Sequence, residues 1–264
     1  MSYSRRAAIY EVEYQEERDV PFVLSLLEQS KTRVLEMPCG AGRLSQHLVS
    51  KAKTLDIVDL EPDMVERAVG ATNSISSQCS VVGHVQDMRT LSLDRRVDLV
   101  ILPREGLQLV SPDDGKKVLS AAAAHLVPEG LIFVDLACFS KDNDPCDPDY
   151  YKHGQSTDIR TLDWTRQMDD GTLLSRSTTQ SDEGDAIIFT MNYVQHSNPK
   201  VEWSSQMQIY RYDSEWVKSS APEGINLESI YGGYDCSSLQ ADSVRMLALF
   251  RKLPANSQTR GDTV

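Results

Sequence analysis

Apolar runs and helical patterns alternate through the first half of this 264-residue chain, and this alternation limits the fold more than any other feature. Strands are predicted at 32–37, 54–59, 79–85, 97–102 and 131–137, and helices at 42–50, 61–71 and 111–127. Strands joined through helices run parallel and are covered on both faces, so the pattern predicts an open α/β sheet. Ligands of such sheets bind beyond the carboxyl ends of the strands.

The second half of the chain follows a different pattern. Three runs typical of strands follow one another without a helix between them, at 172–180, 186–195 and 201–212. The "DEGD" stretch is typical of a hairpin turn between the first two runs. We interpret the three as a small antiparallel β layer inserted after the fifth strand. A helix at 214–224 and strands at 225–234 and 243–253 would then complete a seven-stranded, mostly parallel sheet with helices on both faces.

The charge and the cysteines restrict the possible partners. A net charge of -12 opposes the binding of nucleic acid, whereas small or cationic partners stay open. The five cysteines form no CxxC pair and the histidines form no HExxH, as expected of reduced thiols in a cytoplasmic protein without a metal site. No stretch is apolar enough to span a membrane. The acidic stretch 142–149 is interpreted as the edge of a flexible lid that either favours an amine substrate or stays solvated.

The stretch "VLEMPCGAGRLS" joins the first strand to the first helix. Gly40 permits a backbone conformation that a side chain would forbid, and Gly42 would keep the start of the helix open to a ligand. Exposed N–H groups at this place favour an anion or a carboxylate. Ser45 stands where the dinucleotide fingerprint has glycine or alanine, and the lysine of a P-loop is absent. The glycine pair alone is also compatible with a plain tight turn.

Polar groups end the next two strands as well. Asp59 follows the glycines by about twenty residues, the spacing of an acid that accepts hydrogen bonds from both ribose hydroxyls. Capping of the next helix is the alternative role for this aspartate. Met64 could pack on an adenine face or fill the core. Asp87 and the N–H of Met88, after the third strand, match the edge of an adenine.

Four stretches together resemble the class I S-adenosylmethionine-dependent methyltransferases of the bacterial small-molecule type: "VLEMPCGAGRLSQHL", "VDLEPDMVERA", "QDM" and "VDLVILPREGLQLV". The lead-in "EVEY" and the late "YGGYD" are similar to the same enzymes. The resemblance implies a Rossmann-like fold, with S-adenosylmethionine as cofactor, S-adenosylhomocysteine as product and no metal. The cofactor-binding residues that it implies are Tyr14, Glu36, Gly40, Gly42, Arg43, Asp59, Leu60, Met64, Asp87, Met88 and Leu102.

The same resemblance implies a division of the chain into four parts. Residues 1–30 would form a helical lid segment, and 31–138 together with 213–253 would form the cofactor-binding domain. Residues 139–212 would form an antiparallel cap over the substrate site, and 254–264 a disordered tail.

The chemistry of methyl transfer leaves the catalytic residues open. The nucleophile must be held in line with the methyl group and water must be excluded, so no residue type is diagnostic. Tyr10 and Tyr14 share one face of a predicted helix, where they line the site or only border an amphipathic helix. Tyr14 is the catalytic candidate. The substrate-binding candidates are Tyr10, Arg104, Gln108, Tyr193 and His196. Arg104 would bind a substrate carboxylate or pair with Glu105 or a nearby aspartate.

The sequence therefore predicts methyl transfer to a nitrogen or oxygen of a small molecule, an amine or a phenol, in secondary metabolism. Two alternatives stay open: a nucleotide-binding oxidoreductase, and a protein that binds the cofactor without turnover.

Overall fold

Two β-sheets with flanking helices make up the computed structural model, which describes residues 9–28, 31–75, 78–139 and 157–254. The strands are β1 (Arg33–Glu36), β2 (Thr54–Asp59), β3 (Ser80–Val85), β4 (Val97–Leu102), β5 (Leu126–Ala137), β6 (Thr157–Gln167), β7 (Leu173–Asp182), β8 (Ala186–Gln195), β9 (Val201–Tyr210), β10 (Ile225–Tyr231) and β11 (Arg245–Lys252). The helices are α1 (9–13), α2 (Val20–Ser25), α3 (Ser45–Leu48), α4 (Pro62–Asn73), α5 (Pro112–Ala124) and α6 (Ser214–Ser219). Short 3₁₀ turns lie at Met88–Thr90 and Leu107–Leu109.

The larger sheet has seven strands in the order β10-β11-β5-β4-β1-β2-β3. The pairs among β1 to β5 are parallel, whereas β11 runs antiparallel to both of its neighbours, β5 and β10. The predicted seven-stranded, mostly parallel sheet of a Rossmann-like α/β fold is therefore confirmed. Because β1 lies between β4 and β2, the loop that follows β1 is central at the carboxyl edge of the sheet.

The core consists of two apolar layers, one on each face of this sheet. Alternate residues of a strand point to opposite faces, so Val34 belongs to one layer and its neighbour Leu35 to the other. Residues of α5 such as Val118 pack in the layer of Leu35, and residues of α2, α3 and α4 pack in the layer of Val34. Covering helices on both faces explain why the central strands are apolar along their whole length.

Helix α5 begins as predicted but ends earlier. Ser111 accepts a hydrogen bond from the N–H of Asp114, and a proline with two aspartates occupies the first turn. The predicted helix to Val127 is wrong at its end, because Leu126 already pairs with Val97 of β4. The "PEG" stretch lies inside β5, where Glu129 has a φ of 64° and the pairing register with β4 shifts.

The smaller sheet is an antiparallel meander in the order β6-β7-β8-β9. An inserted antiparallel layer after the fifth strand was predicted and is confirmed, but with three strands where the structure has four. The missing strand is β6. Its pairing with β7 has register shifts at two places, and such bulges break the period-two alternation by which a strand is recognised in a sequence.

Some predictions fall on residues outside the described ranges: the first eight residues of the lid segment, the acidic stretch 142–149 and the tail from 255 onward. Among the helices of the described ranges, none is long and apolar enough to cross a lipid bilayer.

Candidate active site

A cavity of about 460 Å³ lies at the carboxyl edge of the larger sheet. Its wall contains the ends of β1 and β2, the turns after β3 and β4, the N-terminal segment and part of β9. This is the place where ligands bind in open α/β sheets, and the volume is that of a small-molecule site. The predicted site residues that form this wall are Tyr10, Tyr14, Glu36, Gly40, Arg43, Asp59, Leu60, Met64, Asp87, Met88 and Arg104.

The glycine-rich loop and the acid after β2 are joined directly. The Gly40 N–H donates to Asp59 Oδ2 at 2.9 Å, and the Glu61 N–H donates to Asp59 Oδ1 at 3.1 Å. Burial raises the pKa of Asp59, although these backbone hydrogen bonds act in the opposite direction. A carboxylate oxygen has two acceptor sites, so Asp59 can accept hydrogen bonds from ligand hydroxyls while holding the loop.

Gly40 has no room for a side chain. Its φ is 50°, and a Cβ there would lie 2.5 Å from the hydroxyl oxygen of Tyr10. Gly42 has a φ of 93°, and a Cβ there would lie 2.7 Å from the Cα of Ala68 in α4. Gly42 therefore serves the packing of the loop on α4 and is not part of the cavity wall.

Glu36, at the end of β1, is a buried acid on the cavity wall. It is 1% exposed and accepts a hydrogen bond from Ser45 Oγ at 2.6 Å. Burial raises the pKa of Glu36 to about 8, against the lowering effect of the Ser45 hydrogen bond. From the sequence, Ser45 was noted only as a departure from the dinucleotide fingerprint, because a lone serine in a helix gives no signal for this contact.

An apolar slot with a carboxylate at its edge follows β2 and β3. Leu60 is 61% exposed in the cavity wall, whereas Met64 is buried beneath it in a cluster with Ala41 and Tyr10. Asp87 accepts hydrogen bonds from the backbone and guanidinium of Arg89, and these hydrogen bonds lower the pKa of Asp87. An ionised acceptor beside apolar side chains suits a flat aromatic base that carries an amino group.

The N-terminal segment closes one side of the cavity. The rings of Tyr10 and Tyr14 lie 4.5 Å apart between centroids, and both contribute to the wall. The Arg43 guanidinium donates to both carboxylate oxygens of Asp19, at 2.8 and 2.5 Å, and to the Glu16 carbonyl at 2.9 Å. Arg43, which was predicted to bind the cofactor, lies in the cavity wall, and its guanidinium holds the N-terminal segment.

Glu13 attaches the same segment to the smaller sheet. It is 5% exposed and accepts from the Tyr193 hydroxyl at 2.7 Å and from Arg176 Nη1 at 2.8 Å. Arg166 donates to the carbonyls of Val12 and Glu13. Glu13 and Asp19 were missed from the sequence, because acids in the run "EVEYQEERD" are typical of a solvated surface.

The far end of the cavity is formed by Arg104, Leu109 and Val110 together with a stretch of β9, Gln206 to Ile209. The insertion therefore does reach the cavity, as expected of the inserted layer. The residues that do so were not singled out, because an alternation such as "QMQI" is ordinary for any strand.

Four further predicted site residues lie away from the cavity wall. Leu102 is fully buried in the apolar core. Gln108 is also fully buried, and its side chain bonds with the N–H and carbonyl of Ala137 and the carbonyl of Tyr210. The Tyr193 hydroxyl is directed to Glu13, as described above. His196 is exposed at the end of β8, where its Nε2 lies 2.8 Å from Ser175 Oγ. None of these four side chains lines the cavity, so their predicted roles at the site stay predictions.

The cavity wall fits S-adenosylmethionine. Asp59 at the end of β2 lines the cavity together with the apolar side chains of Leu60 and Met64, and a second acid, the buried Glu36, lies at the end of β1. In the described ranges, no group of three or more His, Cys, Asp or Glu side chains is arranged to hold a metal ion.

Comparison with known proteins agrees with this geometry. Residues 34–130 match the family model of the methyltransferase domain. The match covers β1 to the middle of β5, including the glycine-rich loop and Asp59. The predicted resemblance to class I S-adenosylmethionine-dependent methyltransferases is confirmed for this stretch of sequence and for the fold.

Curated relatives match part of the chain in sequence, and solved structures share its fold. The chain is 28% identical over 114 residues to a ubiquinone biosynthesis O-methyltransferase from Xanthomonas axonopodis pv. citri, covering 43% of this chain and 46% of the relative. The chain thus spans less than half the length of the curated relatives it matches. A solved S-adenosylmethionine-dependent methyltransferase from Clostridium acetobutylicum superposes with a TM-score of 0.72 at 19% identity, over 96% of this chain and 99% of that one. An amino pentose methyltransferase from Micromonospora echinaspora, solved with S-adenosylmethionine bound, gives 0.69 at 15% identity, over 92% and 96% of the two chains.

Proposed function

We propose that this protein transfers the methyl group of S-adenosylmethionine to a nitrogen or oxygen of a small molecule. The observation that carries the proposal is the junction of Gly40 and Asp59 at the carboxyl edge of the sheet, within the stretch that matches the methyltransferase domain. The junction leaves acceptor capacity on a partly buried carboxylate inside the cavity, which is what a ribose requires.

Each part of the cofactor has a matching part of the wall. Asp59 would accept from the ribose hydroxyls, while Leu60 and Met64 would flank the adenine, and Asp87 with the Met88 N–H would bind its edge. Glu36 faces the methionine end, where an ammonium favours its ionised form. The bound cofactor supplies an electrophilic methyl group on a sulfonium. Tyr10 and Tyr14 would cover this end, exclude water and, through Tyr14, orient the acceptor.

The acceptor would enter at the end formed by Arg104 and β9. In this proposal the N-terminal segment acts as a lid and residues 139–212 act as a cap, so the site is enclosed and suits a small acceptor. The similar proteins include an O-methyltransferase of ubiquinone biosynthesis and an amino pentose methyltransferase involved in calicheamicin biosynthesis. An amine or a phenol of secondary metabolism is the acceptor that we infer.

The described cysteines support a cytoplasmic location for this reaction. In the described ranges, Cys39, Cys79, Cys138 and Cys236 are not joined to one another by disulfide bonds. Cysteines that stay reduced are typical of a reducing compartment.

A calorimetric titration of the purified protein with S-adenosylmethionine, S-adenosylhomocysteine and NAD tests the proposal. We expect about micromolar binding of the two sulfur ligands, an affinity of roughly 8 kcal/mol, and no heat from NAD. Mass spectrometry of the purified protein checks for product carried through purification. A ligand-free protein that binds neither sulfur compound contradicts the proposal, and tight binding of NAD alone would favour the oxidoreductase. A panel of amines and phenols with labelled S-adenosylmethionine then identifies the acceptor.

A further inference from the structure

The turn after β4, residues 103–106, forms cavity wall in a backbone conformation that side chains rarely adopt. Arg104 and Glu105 have φ values of 30° and 54°. Gly106 fits only without a side chain, since a Cβ there would lie 2.5 Å from Pro38 Cδ of the glycine-rich loop. Left-handed non-glycine residues persist where the surrounding structure holds them, and they are commonest at functional sites. Contacts with the surrounding structure must therefore hold this turn.

A buried ion cluster lies directly behind the turn. We define it by Glu105, Asp135 of β5, Arg245 of β11 and Tyr234 of the "YGGYD" stretch. Arg245 donates to carboxylates of both acids, including Nε to Asp135 Oδ1 at 2.9 Å, and the Tyr234 hydroxyl donates to Asp135 Oδ2 at 2.7 Å. The two acids and the arginine are each less than 5% exposed.

The ion cluster holds the turn through both the backbone and a side chain. The Glu105 N–H donates to the Asp135 carbonyl at 3.0 Å, and the Glu105 carboxylate pairs with Arg245. Strands β5 and β11 are already joined by a continuous antiparallel ladder from Arg245↔Ala137 to Arg251↔Leu131. The pairing of Arg245 with Glu105 adds to that ladder a constraint on the turn.

The fixed turn determines the position of Arg104. Its neighbours on both sides are fixed: Glu105 by the ion cluster, and Pro103 by its carbonyl, which accepts from the Gly106 N–H at 2.9 Å. Its side chain lies in the cavity wall, and its Nη1 is 3.4 Å from the carbonyl of Glu16 in the N-terminal segment. The position of the Arg104 guanidinium therefore depends on a turn that is held by residues of β5 and β11.

We propose that Glu105, Asp135, Arg245 and Tyr234 form a positioning network that keeps the 103–106 turn left-handed and thereby sets Arg104 at the acceptor end of the cavity. The positioning of the turn is independent of ligand, whereas its effect on the acceptor rests on the proposed methyl transfer. The network acts through Arg104, so its members are positioning residues. Loss of the network should weaken binding of the acceptor and leave the affinity for the cofactor unchanged.

Hydrogen–deuterium exchange of the full-length protein tests the network without any acceptor. The variants are Tyr234→Phe, which removes one hydroxyl, and Glu105→Gln. Tyr231→Phe is the matched control, because Tyr231 packs against the same Phe22 ring as Tyr234 and lies outside the ion cluster. In Tyr234→Phe we expect the amides of 104–106 to exchange about fivefold faster, the effect of one lost hydrogen bond on local opening. Peptides from β4 and all peptides of the control should be unchanged.

Kinetics with S-adenosylmethionine and the most active amine or phenol of the panel give the second readout. We expect Tyr234→Phe to raise the acceptor KM several-fold, with kcat and the affinity for S-adenosylhomocysteine within about twofold of the wild type. Unchanged exchange at the turn in a folded Tyr234→Phe protein would overturn the network. Faster exchange spread evenly over β5 and β11, with a matching loss of melting temperature, would mean that the network stabilises the fold and does not position the turn. A wild-type protein that binds no S-adenosylhomocysteine would instead refute the proposed function, whatever the turn does.

Discussion

At one end of the cavity, Glu36, Gly40, Asp59 and Asp87 come from strand ends that follow one another along the chain. At the other end, Arg104 and Gln206 come from segments far apart in the sequence that meet only after the smaller sheet has docked. The first group uses backbone conformation and short loops, whereas the second depends on side chains held by distant contacts. The cofactor end should therefore respond to single substitutions with large losses of affinity, and the acceptor end with smaller, selective changes.

The strongest test of the cofactor end is Gly40→Ala. An alanine would need a φ of 50° and would collide with the Tyr10 hydroxyl, so it should displace both the loop and the N-terminal segment. We expect the affinity for S-adenosylmethionine to fall about a hundredfold, roughly 2.7 kcal/mol, in calorimetric titrations. Gly70→Ala is the control, since the space around Gly70 in α4 is open and the helix should gain about 0.5–1 kcal/mol in the free energy of unfolding. Equal affinities of the two variants would contradict the close approach at Gly40.

Asp59→Ala comes next in expected size. Removal of the carboxylate takes away the hydrogen bonds to the ribose and frees the Gly40 N–H, so the affinity should drop at least about tenfold. Asp63→Ala changes an exposed aspartate in the first turn of the adjacent helix α4 and should leave the affinity unchanged. A folded Asp59→Ala protein with wild-type affinity would mean that the ribose binds elsewhere.

The pH dependence of cofactor binding tests whether Glu36 contributes to the cofactor end. With a pKa of about 8, this acid is neutral at lower pH in the free protein, and a cationic ligand favours its ionised form. Binding should therefore release a proton, and the affinity for S-adenosylmethionine should rise about tenfold between about pH 6 and pH 8 and level off above. Calorimetry in two buffers of different ionisation enthalpy measures the released proton. Glu36→Gln should show a flat profile, and a flat profile in the wild type would exclude Glu36 from the methionine end.

The smallest of these effects is expected at the acceptor end. Gln206→Ala removes an amide from the cavity wall without touching the glycine-rich loop. We expect the acceptor KM to rise about threefold, within the range of a single hydrogen bond, with no change in cofactor affinity. Ser204→Ala, on the same strand but outside the wall, is the control. A loss of cofactor affinity in Gln206→Ala would show that the two ends are not separate.

The same contrast explains how much the sequence could predict. Strand ends in a parallel sheet meet at one edge, so a glycine pair and an acid about twenty residues later locate the cofactor end from spacing alone. No such rule connects Glu13 with Tyr193 or Arg43 with Asp19, because those contacts depend on how the N-terminal segment and the inserted sheet dock. Gln108 and His196 were predicted because their side-chain chemistry suits a binding site and their elements lie near it. The structure shows that Gln108 is a buried bridge and His196 an exposed residue, and the sequence alone does not distinguish such positions from the cavity wall.

The carboxamide of Gln108 has an evolutionary consequence. Ala137 ends β5, where the inserted segment leaves the larger sheet, and Tyr210 ends β9, where it returns; both bond to this one side chain. The two ends of the insertion are thus joined by a single side chain next to the larger sheet. Recombination at these two points would exchange one inserted sheet for another and leave β1 to β5 in place. A replacement sheet would also have to supply the contacts that Arg176 and Tyr193 make with Glu13, so the N-terminal segment and the inserted sheet are expected to vary together.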